Sequence, residues 1–273
     1  MSARAASVPA FDWGRVDAML RRHWYLVRGS WPRIVDLVYW PVVQMLVWGF
    51  LTQFMATNSS WIANAFGVLL AGMLLWDACM RSQLSLAICF LEEIWSRNLG
   101  HLFVSPLRPA EWIAALMIVS GLRAVVGAGS AMLLCIPLYA YSIFDMGLPF
   151  IAFFLALTMT GWAIGLAVSG FVMRQGMGAE NVVWGATFLI APVSCVYYPV
   201  ETLPGWLQWV AWSIPSTPVF EGMRGVIVDG VFKPELLAAA TALNAVYLAL
   251  GAWYFLASCR KARERGQILQ TGE

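Results

Sequence analysis

The chain has 273 residues, 60% of them hydrophobic and 12% charged, with a mean hydropathy of +0.71 and a formal net charge of +2. A soluble domain carries about 25% charged residues, so this composition excludes an ordinary water-soluble fold and points to an all-α, polytopic membrane protein. The abundant Trp and Phe suit aromatic belts at two membrane interfaces.

Residues 1–33 carry Arg4, Arg15, Arg21, Arg22, Arg28 and Arg33 with no apolar core and no small-residue cleavage site, so a cleaved leader is not expected there. Between 11 and 31, Phe11, Trp13, Trp24, Tyr25 and Trp31 mingle with four of these arginines, the pattern of an amphipathic helix lying in the headgroup layer. Six apolar runs follow, at 34–55, 64–88, 112–139, 149–173, 181–200 and 236–258, each near the roughly 20 residues that a crossing needs. The first contains Pro41 and the third Pro137; the fifth is short, is interrupted by Pro192 and Pro199, and reads as a broken or re-entrant helix. In the fourth, Gly161, Gly165 and Ser169 share a four-residue spacing that lets a neighbouring backbone approach. The expected organisation is an amphipathic cytoplasmic or interfacial segment at 1–33, a six-span membrane domain at 34–258 and a basic cytoplasmic tail at 259–273.

Charge placement sets the expected orientation. The N-terminal segment, the 89–111 and 174–180 loops and the tail hold 13 Lys and Arg, whereas the loops at 56–63, 140–148 and 201–235 hold 2, Arg224 and Lys233. Both termini are therefore expected in the cytoplasm.

Reactive chemistry is sparse. A P-loop needs Lys followed by Ser or Thr, but Lys233 precedes Pro234 and Lys261 precedes Ala262. HExxH and GxSxG are absent. The two histidines, His23 and His101, are too few and too far apart for a His-rich metal cluster. The five cysteines, with no CxxC among them, read as small buried hydrophobes rather than metal or disulfide ligands. No catalytic group, metal or cofactor is expected on this chain. Charges inside the spans are the better clue, since each costs about 2.5–3.5 kcal/mol unpaired at a span centre. They are Asp77, Arg81 and Arg123. Asp77 and Arg81 share a helical face, and Arg123 lies at a depth comparable with Asp77. Two roles follow: an ion pair between Asp77 and Arg123, or the polar lining of a substrate path.

Two polar interruptions stand out. The island from Glu92 to Leu107 combines apolar Ile94, Leu99, Leu102 and Phe103 with polar Glu92, Glu93, Arg97, Asn98 and His101, beside Trp95. Such a surface suits docking on another protein: an apolar face to enter a groove, and charges to fix register. The segment from Tyr197 to Arg224 breaks at Pro199 and Pro204, carries Trp206, Trp209 and Trp212, breaks again at Pro215 and Pro218, and ends on Glu221 and Arg224 at i, i+3. It reads as a membrane-anchoring loop or an outer gate.

The island ending Val104-Ser105-Pro106-Leu107, the Leu203-Pro204-Gly205-Trp206-Leu207 turn, the Pro215 to Pro218 pair and the Glu221/Arg224 pair stand in an order and spacing that resembles the membrane subunit of type-2 ABC exporters, over nearly the whole chain. The resemblance implies a six-span permease without bond chemistry, paired with a second copy and driven by a separate ATPase that holds ATP and Mg. It implies that the island, Glu92, Glu93, Trp95, Arg97, Asn98, Leu99, His101, Leu102 and Phe103, is a coupling helix. It also implies that re-entrant helices before the last span form an outer gate, with Pro204, Trp206, Trp209, Glu221 and Arg224 as candidates. The expected setting is the inner membrane with lipid contacts and no nucleic acid, and the expected cargo a drug-like amphiphile or a lipid-linked glycan. Two alternatives are a membrane scaffold or immunity protein, and a membrane-embedded transferase using Glu92, Glu93 and His101.

Overall fold

The computed structural model describes residues 11–58 and 60–264, apart from the side chains of 56, 58 and 60–65. Arg4, Arg265 and the ends of the segments expected at 1–33 and 259–273 lie outside the described residues. Among the described residues, ten α-helices follow in chain order: α1 Trp13–Arg28, α2 Trp31–Asn58, α3 Ser60–Trp95, α4 Leu99–Val104, α5 Pro109–Tyr139, α6 Leu148–Gln175, α7 Asn181–Ile190, α8 Gly205–Ser213, α9 Ser216–Val228 and α10 Pro234–Glu264. No strand occurs among the described residues. Within α2, α3, α5, α6 and α10 lie five stretches long and apolar enough to cross a membrane.

The bundle is organised around α3 and α6. Helix α6 packs against α3 on one side and α10 on the other, while α2 and α5 flank α3. The small residues of α6 explain the close approach. A Cβ at Gly161 would run into the Cys79 carbonyl and Ser82 hydroxyl of α3, and one at Gly165 would press on Gln83 and Leu86. The spacing of Gly161, Gly165 and Ser169 thus marks the α3 face of α6. A second small face meets α10, where Gly251 lies against the Ala163 carbonyl. Buried polar pairs add direction to these contacts: Asn244 donates to the Ala156 carbonyl at 2.9 Å, and Trp162 Nε1 to Ser120 Oγ at 2.7 Å.

Two connections differ from the expected spans. Helix α3 has 36 residues, about 54 Å at 1.5 Å per residue, against a hydrocarbon core of about 30 Å. It stays helical through Glu92, Glu93 and Trp95 instead of ending near 88. The end of the bundle that holds these residues is called the island end, and the opposite one the far end. The run at 181–200 is helical only over the ten residues of α7 and continues in turns. Its contacts nevertheless climb α3, from Trp95 through Gln83 to Gly72, about 34 Å of helix rise. Pro192 explains the break, since proline cannot supply the next helical donor. Gln83 holds the helical part in place, donating to the Val183 carbonyl at 3.0 Å and accepting from Thr187 at 2.6 Å.

At the far end, α8 and α9 form two short helices where the re-entrant segment is expected before the last span. Ser216, opening α9, reaches Ser194 at 2.9 Å. Phe220 then packs on Trp76, Met223 lies near Gly72 and Ile227 near Gly67, so α9 climbs α3 toward the far end.

Candidate functional site

The island is built by a helix stop. Helix α3 closes with Asn98 N–H donating to the Glu93 carbonyl at 2.9 Å and Arg97 N–H to Ile94 at 2.9 Å. Arg97 sits at φ 55, the left-handed position that such a stop requires. Helix α4 follows with Leu99 buried and Leu102 and Phe103 partly buried. Phe103 meets Trp112 of α5 edge to face at 6.3 Å, and Arg263 of α10 lies 4.6 Å over its ring. Ile94, Leu99, Leu102 and Phe103 therefore face the chain's own core, not an outside groove as the sequence reading had it. A six-residue helix has room for one apolar face, and α5 and α10 occupy it. The surface left outward is Trp95, Arg97, His101 and Val104, the last 90% exposed.

The acidic residues also turn inward. Glu93 is 1% exposed and receives Arg22 at 2.5 Å and Asn98 at 2.7 Å. Glu92 pairs with Arg33 at 3.3 Å. Buried Glu111, at the start of α5, accepts from Asp12 N–H at 2.9 Å and Arg108 N–H at 2.8 Å and pairs with Arg15 at 3.3 Å. Three carboxylates on α3 and α5 thus strap down α1 and the base of α2 through three arginines. The sequence places Glu92 and Glu93 outward and Arg15 and Arg22 in the headgroup layer, whereas the structure turns all four toward one another's helices, with Arg33 and Glu111 completing the pairs. One signal was available: Arg15 and Arg22, seven apart, share a face of α1 beside the stripe Val16, Met19 and His23. Trp95 adds a further tie, donating to Glu180 ahead of α7 at 3.2 Å.

Under the strap, His23 is buried with neither ring nitrogen hydrogen-bonded. Burial first, then the guanidinia of Arg123, Arg22 and Arg33, hold its pKa down at about 4, so the ring is neutral near pH 7.

The expected Asp77–Arg123 pair does not form. Asp77 pairs with Arg81 on its own helix at 3.3 Å, and Arg123 Nε has no hydrogen-bond partner. The reason is direction rather than depth. Side chains tilt toward the N-terminus of their own helix, and α3 and α5 run oppositely. Asp77 and Arg81 lean to the far end, whereas Arg123 leans to the island end, where its charge acts on His23.

The gate candidates separate into two groups. Pro204, Trp206 and Trp209 lie exposed at the start of α8. Glu221 and Arg224 of α9 form an internal clamp. Arg224 donates to Glu221 at 2.8 Å and to the carbonyls of Cys195, Val196 (3.3 Å) and Tyr198 (2.7 Å), while Glu221 accepts from Val200 N–H at 2.9 Å. Tyr197 in the clamped turn stacks on Trp48 of α2 at 4.9 Å. One guanidinium thereby holds the turns after α7 against α9.

An all-helical bundle with a strapped amphipathic helix, a short helix after α3 and a far-end hairpin accords with a comparison against family models, in which residues 16–228 match the ABC-2 type transporter model. The chain belongs to the ABC-2 type transporter family. Comparison with curated proteins finds no match. The matched region runs from within α1 to the end of α9, so it includes the Arg22 and Arg33 parts of the strap, the island and the clamp, while Arg15 lies just before it. The chain is the membrane-spanning permease subunit of an ABC transporter, a transport component without catalysis of its own, from a family that generally works with an ABC ATPase.

Proposed function

We propose that this permease forms the substrate path of an ATP-driven exporter and that a separate ATPase docks at the island end. The observation that carries the reading is the outward surface Trp95, Arg97, His101 and Val104, set at the tip of the bundle's longest and most buried helix. An apolar side chain such as Val104, left almost fully exposed on the same island as the exposed Arg97, suits a protein contact. Helix α3 is unbroken and passes from this tip to the Arg224 clamp region, a continuous path by which a push at the island end would reach the far end. The arginine bias supports a cytoplasmic island end and cytoplasmic termini in an inner membrane. Exposed apolar rows on α2 and α5, including Val47, Phe50, Leu122 and Val126, support pairing with a second copy and an amphiphilic cargo, a drug-like molecule ahead of a lipid-linked glycan. ATP and Mg belong to the ATPase.

The test uses full-length permease co-expressed with its ATPase. Arg97→Glu combined with Val104→Asp changes only exposed groups and is expected to abolish copurification while leaving thermal unfolding of the permease unchanged. Undiminished copurification of the double variant would remove the island as the docking element.

A further inference from the structure

Three lone-pair atoms meet under the strap. His23 of α1 brings a ring nitrogen, Cys89 of α3 its sulfur and Glu92 a carboxylate oxygen, all within 4.8 Å of one another. Cys89 and Glu92 are three residues apart and share one face of α3, and α1 crosses that face. His23 continues the buried stripe of Val16 and Met19, where an apolar residue would have closed the packing. Instead, both ring nitrogens and Glu92 Oε2 are buried without a hydrogen bond. Buried polar atoms are rarely left so, and three convergent electron-pair donors call for an acceptor between them.

We propose that His23, Cys89 and Glu92 bind a divalent transition ion of the zinc type, which ties α1 to the end of α3. An imidazole nitrogen, a thiolate and a carboxylate oxygen form a ligand set that zinc takes, with water as a fourth ligand. Metal–ligand bonds of about 2.0–2.3 Å place neighbouring ligands about 3.5 Å apart, so small side-chain rotations close the present triangle. Binding releases the Cys89 proton to solvent and forms the metal–sulfur bond, with no change of oxidation state.

The neighbouring guanidinia decide how tightly the ion is held. Arg22 is matched by Glu93 and Arg33 by Glu92. Arg123 faces the site without a carboxylate, and the Cys89 thiolate becomes its counter-charge. When the ion takes that thiolate, Arg123 is left without a counter-charge and repels the ion, so Arg123 limits affinity.

The experiment takes full-length permease in detergent, strips it with a chelator and titrates it with Co²⁺. The expected result is one equivalent bound, with a thiolate-to-cobalt charge-transfer band in the near ultraviolet that Zn²⁺ displaces. Cys89→Ser loses the band, Cys259→Ser keeps it, and His23→Gln and Glu92→Gln each weaken binding at least about tenfold. Arg123→Gln tightens binding, on the order of tenfold. Zinc raises the melting temperature of the wild type but not of His23→Gln. Folded wild type without the band overturns the proposal and leaves water between the three side chains. A band that survives Cys89→Ser overturns it too, because the sulfur then comes from another cysteine. Neither ATPase nor transport enters the measurement, so its failure leaves the exporter reading untouched.

Discussion

At the residue scale, the charged groups divide by what they face. Arg22 and Glu93 form a pair whose members are unequally buried: the Arg22 side chain is 34% exposed and that of Glu93 1%. Removing the arginine strands a carboxylate that water cannot reach, whereas neutralising the carboxylate leaves a guanidinium that can turn to solvent. Arg22→Ala is therefore expected to cost about 3 kcal/mol and Glu93→Gln about 1 kcal/mol, an ordering that thermal unfolding of the two purified variants checks. A loss in Arg22→Ala no greater than about 1 kcal/mol would mean that the pair is dispensable and Asn98 alone satisfies Glu93. The same directional logic applies within the spans. Asp77 and Arg81 should show coupling in a double-mutant cycle, and Asp77 and Arg123 should be additive within about 0.5 kcal/mol. The cost of an unpaired intramembrane charge was legible from composition. The partner was not, because choosing it needed the opposite tilts of side chains on two antiparallel helices.

At the element scale, what could be read from the chain was whatever periodicity encodes locally. The amphipathic α1, the long apolar helices and the small face of α6 were all visible as patterns. The extension of α3 through Glu92 and Glu93 was not, since a charged tail on an apolar helix looks like a loop until Arg97 is known to close it. Nor was the inward face of α4: its apolar stripe is the same whether α5 or a partner covers it. Gln83, Thr187 and Asn244 escaped notice because a lone polar residue in an apolar run carries no mark of its distant partner. The glycines offer a quantitative check on this packing. A Cβ at Gly161 meets the Cys79 backbone, which no rotamer change relieves, so Gly161→Ala should destabilise by about 1–3 kcal/mol. Gly185 lies inside α7 with open space around it, so Gly185→Ala should stabilise by up to about 1 kcal/mol through helix propensity alone. Melting temperatures moving in opposite directions would bear this out; a neutral Gly161→Ala would show that α6 can slide away from α3.

At the scale of the whole molecule, the island end and the far end are joined by elements that run the full height of the bundle. Helix α3 is one; the segment from Glu180 to Tyr198 is another, tied to Trp95 below and to Arg224 above. A movement of the island relative to α3 therefore loads both ends of the same segment. Its upper end is gathered chiefly by one side chain, for Arg224 binds the carbonyls of Cys195, Val196 and Tyr198 together with Glu221, beside the Ser194–Ser216 hydrogen bond and the Tyr197–Trp48 stack. In Arg224→Ala these carbonyls lose charge-assisted hydrogen bonds worth about 1.5–3 kcal/mol each, enough to shift a two-state far end on the order of tenfold to a hundredfold. The clamp lies far from Trp95, Arg97, His101 and Val104, so on the proposed docking the variant is expected to copurify with an ATPase to the same extent as the wild type. Transport into inverted vesicles should fall at least about tenfold while ATP hydrolysis continues, because docking survives and its transmission does not. Transport at the wild-type rate would show that the far-end hairpin moves independently of the clamp, and would move the gate to the exposed α8 residues Trp206 and Trp209.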